Sequence, residues 1–245
     1  MRLALVHARY QLLQTVRIPV AVFGSAFFPA VAMLFFVVPF AGDDPTGATY
    51  ATAAMVTFAV MSANIFQYGV GVAEDRDQPW NPYTRTLPAG AAPAFAGRVL
   101  AGLALTFLSL LPVVVIAALF TDARISPGAF ALAVVVVGLI SVPFTLMGLA
   151  IGYALPSKAA IVVAQIVFFP LAFGGGLLSA PDAAPAFVRA IAPYLPTRGA
   201  VELMWAAVGD WRPAPVSVVM LGVWVVALAA LAGWAYRRDE GRRFR

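Results

Sequence analysis

The chain has 245 residues, of which 62% are hydrophobic and 11% charged, and its mean hydropathy is +0.90. Soluble domains carry about 25% charged residues, so this composition excludes an ordinary soluble fold and predicts an integral membrane protein. The total absence of cysteine excludes disulfides, thiolate catalysis and cysteine metal sites. A pI near 10.0 with net charge +5 could suggest nucleic acid, but basic residues flanking membrane spans account for it, and no nucleic-acid partner is expected.

Taken in chain order, Met1–Arg17 comes first, with Leu3, Val6, Tyr10 and Leu13 at helical spacing opposite His7, Gln11 and Gln14. Six runs long enough to cross the roughly 30 Å of hydrocarbon follow. They are Ile18–Ala41, Tyr50–Ala73, Val99–Phe120, Gly128–Leu155, Ala159–Ser179 and Ala214–Tyr236, and none contains Asp, Glu, Lys or Arg. The first run is longer than a signal-peptide core and no small-x-small cleavage site follows it, so it reads as a retained span. The prediction is an all-α protein forming a single transmembrane domain over residues 1–245. Its parts are a cytoplasmic interfacial helix (1–17), a cytoplasmic elbow (74–98) and an outer segment (180–213).

Lys and Arg counts orient it. With the N-terminus inside, Arg2, Arg9, Arg17, Arg76, Arg85, Arg98, Lys158, Arg237, Arg238, Arg242, Arg243 and Arg245 face the cytoplasm. Only Arg124, Arg189, Arg198 and Arg212 lie outside. This bias puts both termini, and the elbow, in the cytoplasm.

The elbow, Glu74–Pro88, is the most unusual segment. Glu74, Asp75, Arg76 and Asp77 are consecutive charges between two apolar runs, with Trp80 and Arg85 beyond. Inside the spans the polar groups are few. Asn64 and Gln67 sit three apart on one face of the second, and Gln165 lies in the fifth. They read either as interhelical hydrogen-bonding groups or as the lining of a substrate path. Gly148-x-x-x-Gly152 permits close helix packing, within one chain or between two. Pro29, Pro112, Pro143 and Pro170 lie within spans, and Gly174-Gly-Gly176 reads as a helix break.

With no ionisable residue inside a span, ion-coupled transport lacks its usual groups. The chain has no G-x-x-x-x-G-K-[ST] and a single histidine, His7, so neither a P-loop nor a His-based triad is expected. One enzyme reading stays open. Asp75-Arg-Asp77 followed by Arg85-Thr-Leu-Pro-Ala-Gly90 resembles the first aspartate-rich motif of intramembrane prenyltransferases, where carboxylates hold a magnesium diphosphate. A second acidic cluster is missing. No acid occurs between Asp122 and Asp182, and later on that side only Asp239 and Glu240 are available. A non-transporting membrane scaffold is the other alternative.

Together these features resemble the membrane subunit of ATP-binding-cassette exporters, the type-2 permease family, over nearly the whole chain. Glu74-Asp-Arg, Thr86-Leu-Pro88 and Gly97-Arg98-Val-Leu look like that family's acidic turn, proline step and glycine-basic start of the third span. Phe169-Pro-Leu-Ala-Phe-Gly-Gly-Gly-Leu, Ile191-Ala-Pro-Tyr-Leu-Pro196 and Glu202-Leu resemble its outer segment of short re-entrant helices. Asp77-Gln-Pro-Trp80 departs from the family's usual Glu-x-Gly-Thr. The resemblance implies six transmembrane helices in a bacterial plasma membrane. It also implies a cytoplasmic P-loop ATPase partner, a second permease copy and surrounding lipid. ATP and magnesium would sit on the ATPase, with no cofactor, metal or catalytic residue in this chain. Glu74, Asp75, Arg76, Asp77, Trp80 and Arg85 would form the ATPase-coupling surface. Gly175, Pro193, Pro196 and Glu202 would form an outer gate segment, and the cargo would be a drug, lipid or natural product.

Overall fold

The structure is a computed structural model and describes residues 2–17, 27–79, 91–179 and 184–242. The described residues are overwhelmingly helical. In order they form α1 (Arg2–Val16), α2 (Phe27–Ala41), α3 (Pro45–Asp77), α4 (Ala91–Phe120), α5 (Pro127–Ala154) and α6 (Ser157–Gly174). The short α7 (Ala186–Ile191) and a 3₁₀ turn (Ala192–Tyr194) lead to α8 (Pro196–Val208) and then α9 (Pro215–Arg242). Among the described residues five helices, α3 to α6 and α9, are long and apolar enough to span a membrane, and α2 is a shorter apolar helix beginning within the first predicted run. The chain is an all-helical integral membrane protein.

Helix starts follow their capping chemistry. Asp44 accepts from the backbone N–H groups of Thr46 (3.2 Å) and Gly47 (2.8 Å), with Pro45 at the first helical position of α3. Ser126 does the same for Ala129 (3.2 Å) ahead of Pro127 in α5. The α6 terminus uses one of its three glycines for conformation. Gly176 has φ +76°, Leu177 N–H reaches the Ala172 carbonyl (3.1 Å), and Gly176 N–H reaches that of Phe173 (3.0 Å). This is a Schellman ending with Gly176 in the left-handed position. Gly174 and Gly175 instead make room for Leu195 and Thr197.

Prolines 112, 143 and 170 lie inside continuous helices. Pro39 acts differently. It offers no N–H to the carbonyl of Phe35, and α2 widens just before it into a π-helical turn, Met33–Val37, closed by Val38 N–H to the Met33 carbonyl.

Helix α3 is central: 78% of its most apolar stretch is buried, against 22–39% for the other four spans. Its closest neighbour is α5. Gly148 faces the Asn64 carbonyl, and Gly152 faces the carbonyls of Tyr68 and Gly69. The Gly-x-x-x-Gly pair therefore packs α5 on α3 inside one chain. Phe58, Phe144, Phe168, Ile65, Ile140 and Trp205 fill the core around this seam. Helix α1 rests on α4 where Gly97 opposes Ala4, His7 and Ala8. The predicted apolar stripe Leu3, Val6, Tyr10 and Leu13 faces away from the protein.

Candidate functional site

At 1.5 Å per residue, the 33 residues of α3 extend about 50 Å, well beyond a hydrocarbon core of about 30 Å. The charged run Glu74–Asp77 is thus the final helical turn of α3, where the sequence reading has the elbow starting. Its side chains point to four other helices. Asp75 pairs with Arg98 of α4 (2.5 Å). Arg76 bonds Asp239 of α9 through two nitrogens (2.5 and 3.1 Å), and its third donates to the carbonyls of Gly152 (2.6 Å) and Leu155 (3.1 Å). Asp77 accepts from the backbone N–H of Ser157 (3.2 Å) at the start of α6.

The arrangement follows helix electrostatics. The turn Leu155–Pro156 sets the carbonyl end of α5 beside the N–H end of α6. Arg76 meets the negative end and Asp77 the positive end. Pro156 occupies the N-cap position of α6 and its side chain cannot accept a hydrogen bond, so a carboxylate from α3 supplies the cap. Asp239 is buried, 3% exposed at its side chain, and Arg76 is largely covered at 18%. Of the four charges Glu74 and Asp77 are exposed, and Asp77 is tied to the start of α6 while Asp75 and Arg76 are half-buried. Trp80 and Arg85 lie outside the described residues.

The mid-span amides separate. Asn64 is buried, and its amide nitrogen donates to the Val60 carbonyl (2.8 Å) and Thr106 Oγ1 (3.3 Å) while its oxygen accepts from Thr145 Oγ1 (2.8 Å). It joins α3, α4 and α5. Gln67 is half-buried and Gln165 is exposed on α6, so the three do not form one polar surface.

At the opposite end, Gly175, Pro196 and Glu202 gather where α6, α8 and α9 meet. Thr197, beside Gly175, donates to the Leu171 carbonyl (2.9 Å), and Pro196 opens α8. Pro193 lies in the preceding 3₁₀ turn. Glu202 is buried. It holds Arg198 (2.6 Å) and accepts from Ala214 N–H (2.7 Å), just before α9. The Arg198 guanidinium stacks 5.0 Å from the Trp205 ring, and Trp205 Nε1 donates to the Tyr50 carbonyl (3.0 Å). Glu202→Gln keeps the shape but leaves Arg198 without its charge partner. It is expected to lower stability by about 1–3 kcal/mol, read by thermal unfolding in detergent; an unchanged midpoint would show that the pair carries no stability.

The family model of the ABC-2 type transporter matches residues 3–208. The chain belongs to the ABC-2 type transporter family. It is also similar to YvfS of Bacillus subtilis (strain 168), a candidate transport permease, with 21% identity over 186 residues covering 76% of each chain. As an ABC-2 family member the chain is a component of a transmembrane transporter.

The ABC-2 match stops at Val208 at the end of α8, so the partner of Arg76, Asp239, stands outside it. Sequence reasoning found Asp239 only as a stray acid and missed its pairing, because 163 residues separate the two. The available signal was an acid placed directly after Arg237 and Arg238 at the end of a span. Among the described residues no three His, Cys, Asp or Glu side chains gather as a metal site would require. The acid that comes to Asp75-Arg-Asp77 is Asp239, and it arrives bound to the arginine between them.

Proposed function

We propose that the chain is the membrane subunit of an ATP-driven exporter of hydrophobic or amphipathic molecules, worked by a separate cytoplasmic P-loop ATPase. The observation that carries this reading is the anchoring of the last turn of α3. Asp75, Arg76 and Asp77 tie it to α4, α5, α6 and α9, so a push on the elbow is delivered to most of the spans at once. The basic bias of that end supports a cytoplasmic elbow with both termini on the same side.

In this reading the ATPase docks on the elbow, with exposed Glu74 at its helical edge and residues 78–90 completing the surface. ATP binding and hydrolysis, with magnesium, occur on the partner. Closure of the ATPase pair rocks the bound helices and shifts the population between inward- and outward-open states. A second permease copy faces the exposed side of α6, where Gln165 and the half-buried Gln67 contribute polar groups to an otherwise apolar path. The segment around Gly175, Pro193, Pro196 and Glu202 closes the path on the outer side.

Glu74→Lys tests the docking step. The residue is exposed, so its reversal disturbs recognition without breaking an internal pair. The expected result is weaker co-purification of the ATPase and lower transport-linked ATP hydrolysis, with unchanged thermal stability of the isolated permease. Undiminished co-purification and hydrolysis would reject docking at this edge.

A further inference from the structure

The C-terminal end of α9 carries the sequence Trp234-Ala-Tyr-Arg-Arg-Asp-Glu240, whose two acids are consumed internally. Asp239 is held by Arg76, and Glu240 accepts from the Tyr236 hydroxyl (2.7 Å). The two arginines are not neutralised in the same way. Both are exposed; Arg237 reaches only the Gly233 carbonyl (3.3 Å), and Arg238 stacks 5.1 Å from the Trp234 ring.

Their position along the helix says what they face. Val219, Val223, Val226, Ala230 and Trp234 recur at spacings of three and four, so they share one face of α9. All are exposed, Val226 at 71% and Trp234 at 50%. Arg237 continues this stripe and Arg238 borders it beside Trp234. An apolar stripe open along the whole span, ending in tryptophan and then arginine, matches the profile of a bilayer from chain region to interface to headgroup. Cations at the headgroup level, with their neighbouring acids withdrawn, suit phosphate-bearing anionic lipid.

We propose that Arg237 and Arg238, with Trp234, form a binding surface for anionic phospholipid headgroups on the last helix. The surface does not depend on the ATPase reading, only on the chain's being in a membrane. Because Asp239 follows directly and locks Arg76, a lipid held here sits one residue from the anchor of the elbow.

The test reconstitutes the full chain in bilayers of phosphatidylcholine mixed with phosphatidylglycerol, strips bulk lipid with detergent, and counts retained lipids by mass spectrometry. The unaltered chain is expected to retain phosphatidylglycerol preferentially. Arg237→Gln with Arg238→Gln should reduce that preference about fivefold per arginine, and Arg237→Lys with Arg238→Lys should keep it. An unchanged preference in the glutamine variant overturns the proposal. So does a variant that keeps the lipid but loses a bound ATPase or a second copy, which would assign the face to protein. Should the glutamine variant not purify as a single species, salt decides on the unaltered chain. Retention of phosphatidylglycerol should fall as ionic strength rises, and retention indifferent to salt overturns the proposal.

Discussion

Replacing Arg76 with alanine is expected to destabilise the folded chain by about 3–5 kcal/mol, the range for breaking a buried ion pair from one side. The cost comes from what is left behind. Asp239, 3% exposed at its side chain, loses the guanidinium that pairs with it. The carbonyls of Gly152 and Leu155 lose a charged donor at 2.6 and 3.1 Å, and the α5 terminus loses its compensating cation. Asp239→Asn should cost less, because the amide oxygen still accepts from Arg76. Joining Arg76→Met with Asp239→Leu removes both charges together and should cost clearly less than the sum of the single changes. Thermal unfolding midpoints in one detergent of Arg76→Met, Asp239→Leu and their combination, beside Arg76→Ala and Asp239→Asn, read this directly. Strict additivity would mean that the two residues do not act on each other.

That pair also marks where sequence reading stops. Hydropathy located the spans closely, since a run without charges is a local property: Gly128–Leu155 became Pro127–Ala154, and Val99–Phe120 lies within Ala91–Phe120 with the same end. The break at Gly174–Gly176 was legible too, because glycine alone enters the left-handed region at no steric cost. The continuation of α3 through Asp77 was not legible. A charged run after an apolar one signals departure from hydrocarbon, and a helix can leave the bilayer without ending. The partners were even less accessible. Nothing local in Glu74-Asp-Arg-Asp77 says that Asp77 caps a helix starting at Ser157, or that Arg76 is drawn in between α5 and α9. Asn64 and Gln67 share a face by spacing, yet Asn64 alone finds Thr106 and Thr145. The direction of each side chain depends on which helices flank α3, and tertiary packing sets that.

The glycines of α5 make the same point with opposite signs in one helix. Gly152→Ala is expected to destabilise the chain by about 1–3 kcal/mol, as an extra group in a filled core does. Gly138→Ala should be neutral or stabilise it by about 0.4–1 kcal/mol through the lower entropy of the unfolded chain. A Cβ at Gly152 would lie 2.5 Å from the Tyr68 carbonyl oxygen, 2.9 Å from that of Gly69 and 2.9 Å from Val72 Cβ, and two of the three are backbone atoms that cannot rotate away. At Gly138 a Cβ meets nothing within 4 Å. Helix α5 must therefore retreat from α3 at Gly152 and can stay in place at Gly138. The retreat reaches the elbow, since the Gly152 carbonyl is itself an acceptor for Arg76. Gly152→Ala and Arg76→Ala should consequently be non-additive: the second change costs less once the first has weakened their shared contact. Gly138→Ala combined with Arg76→Ala should add. Additive costs in the Gly152 pair, measured by the same unfolding midpoints, would separate the α3–α5 seam from the elbow anchor. Sub-additive costs would make them one mechanical unit, through which a displacement of the α3 terminus is felt along the length of α5.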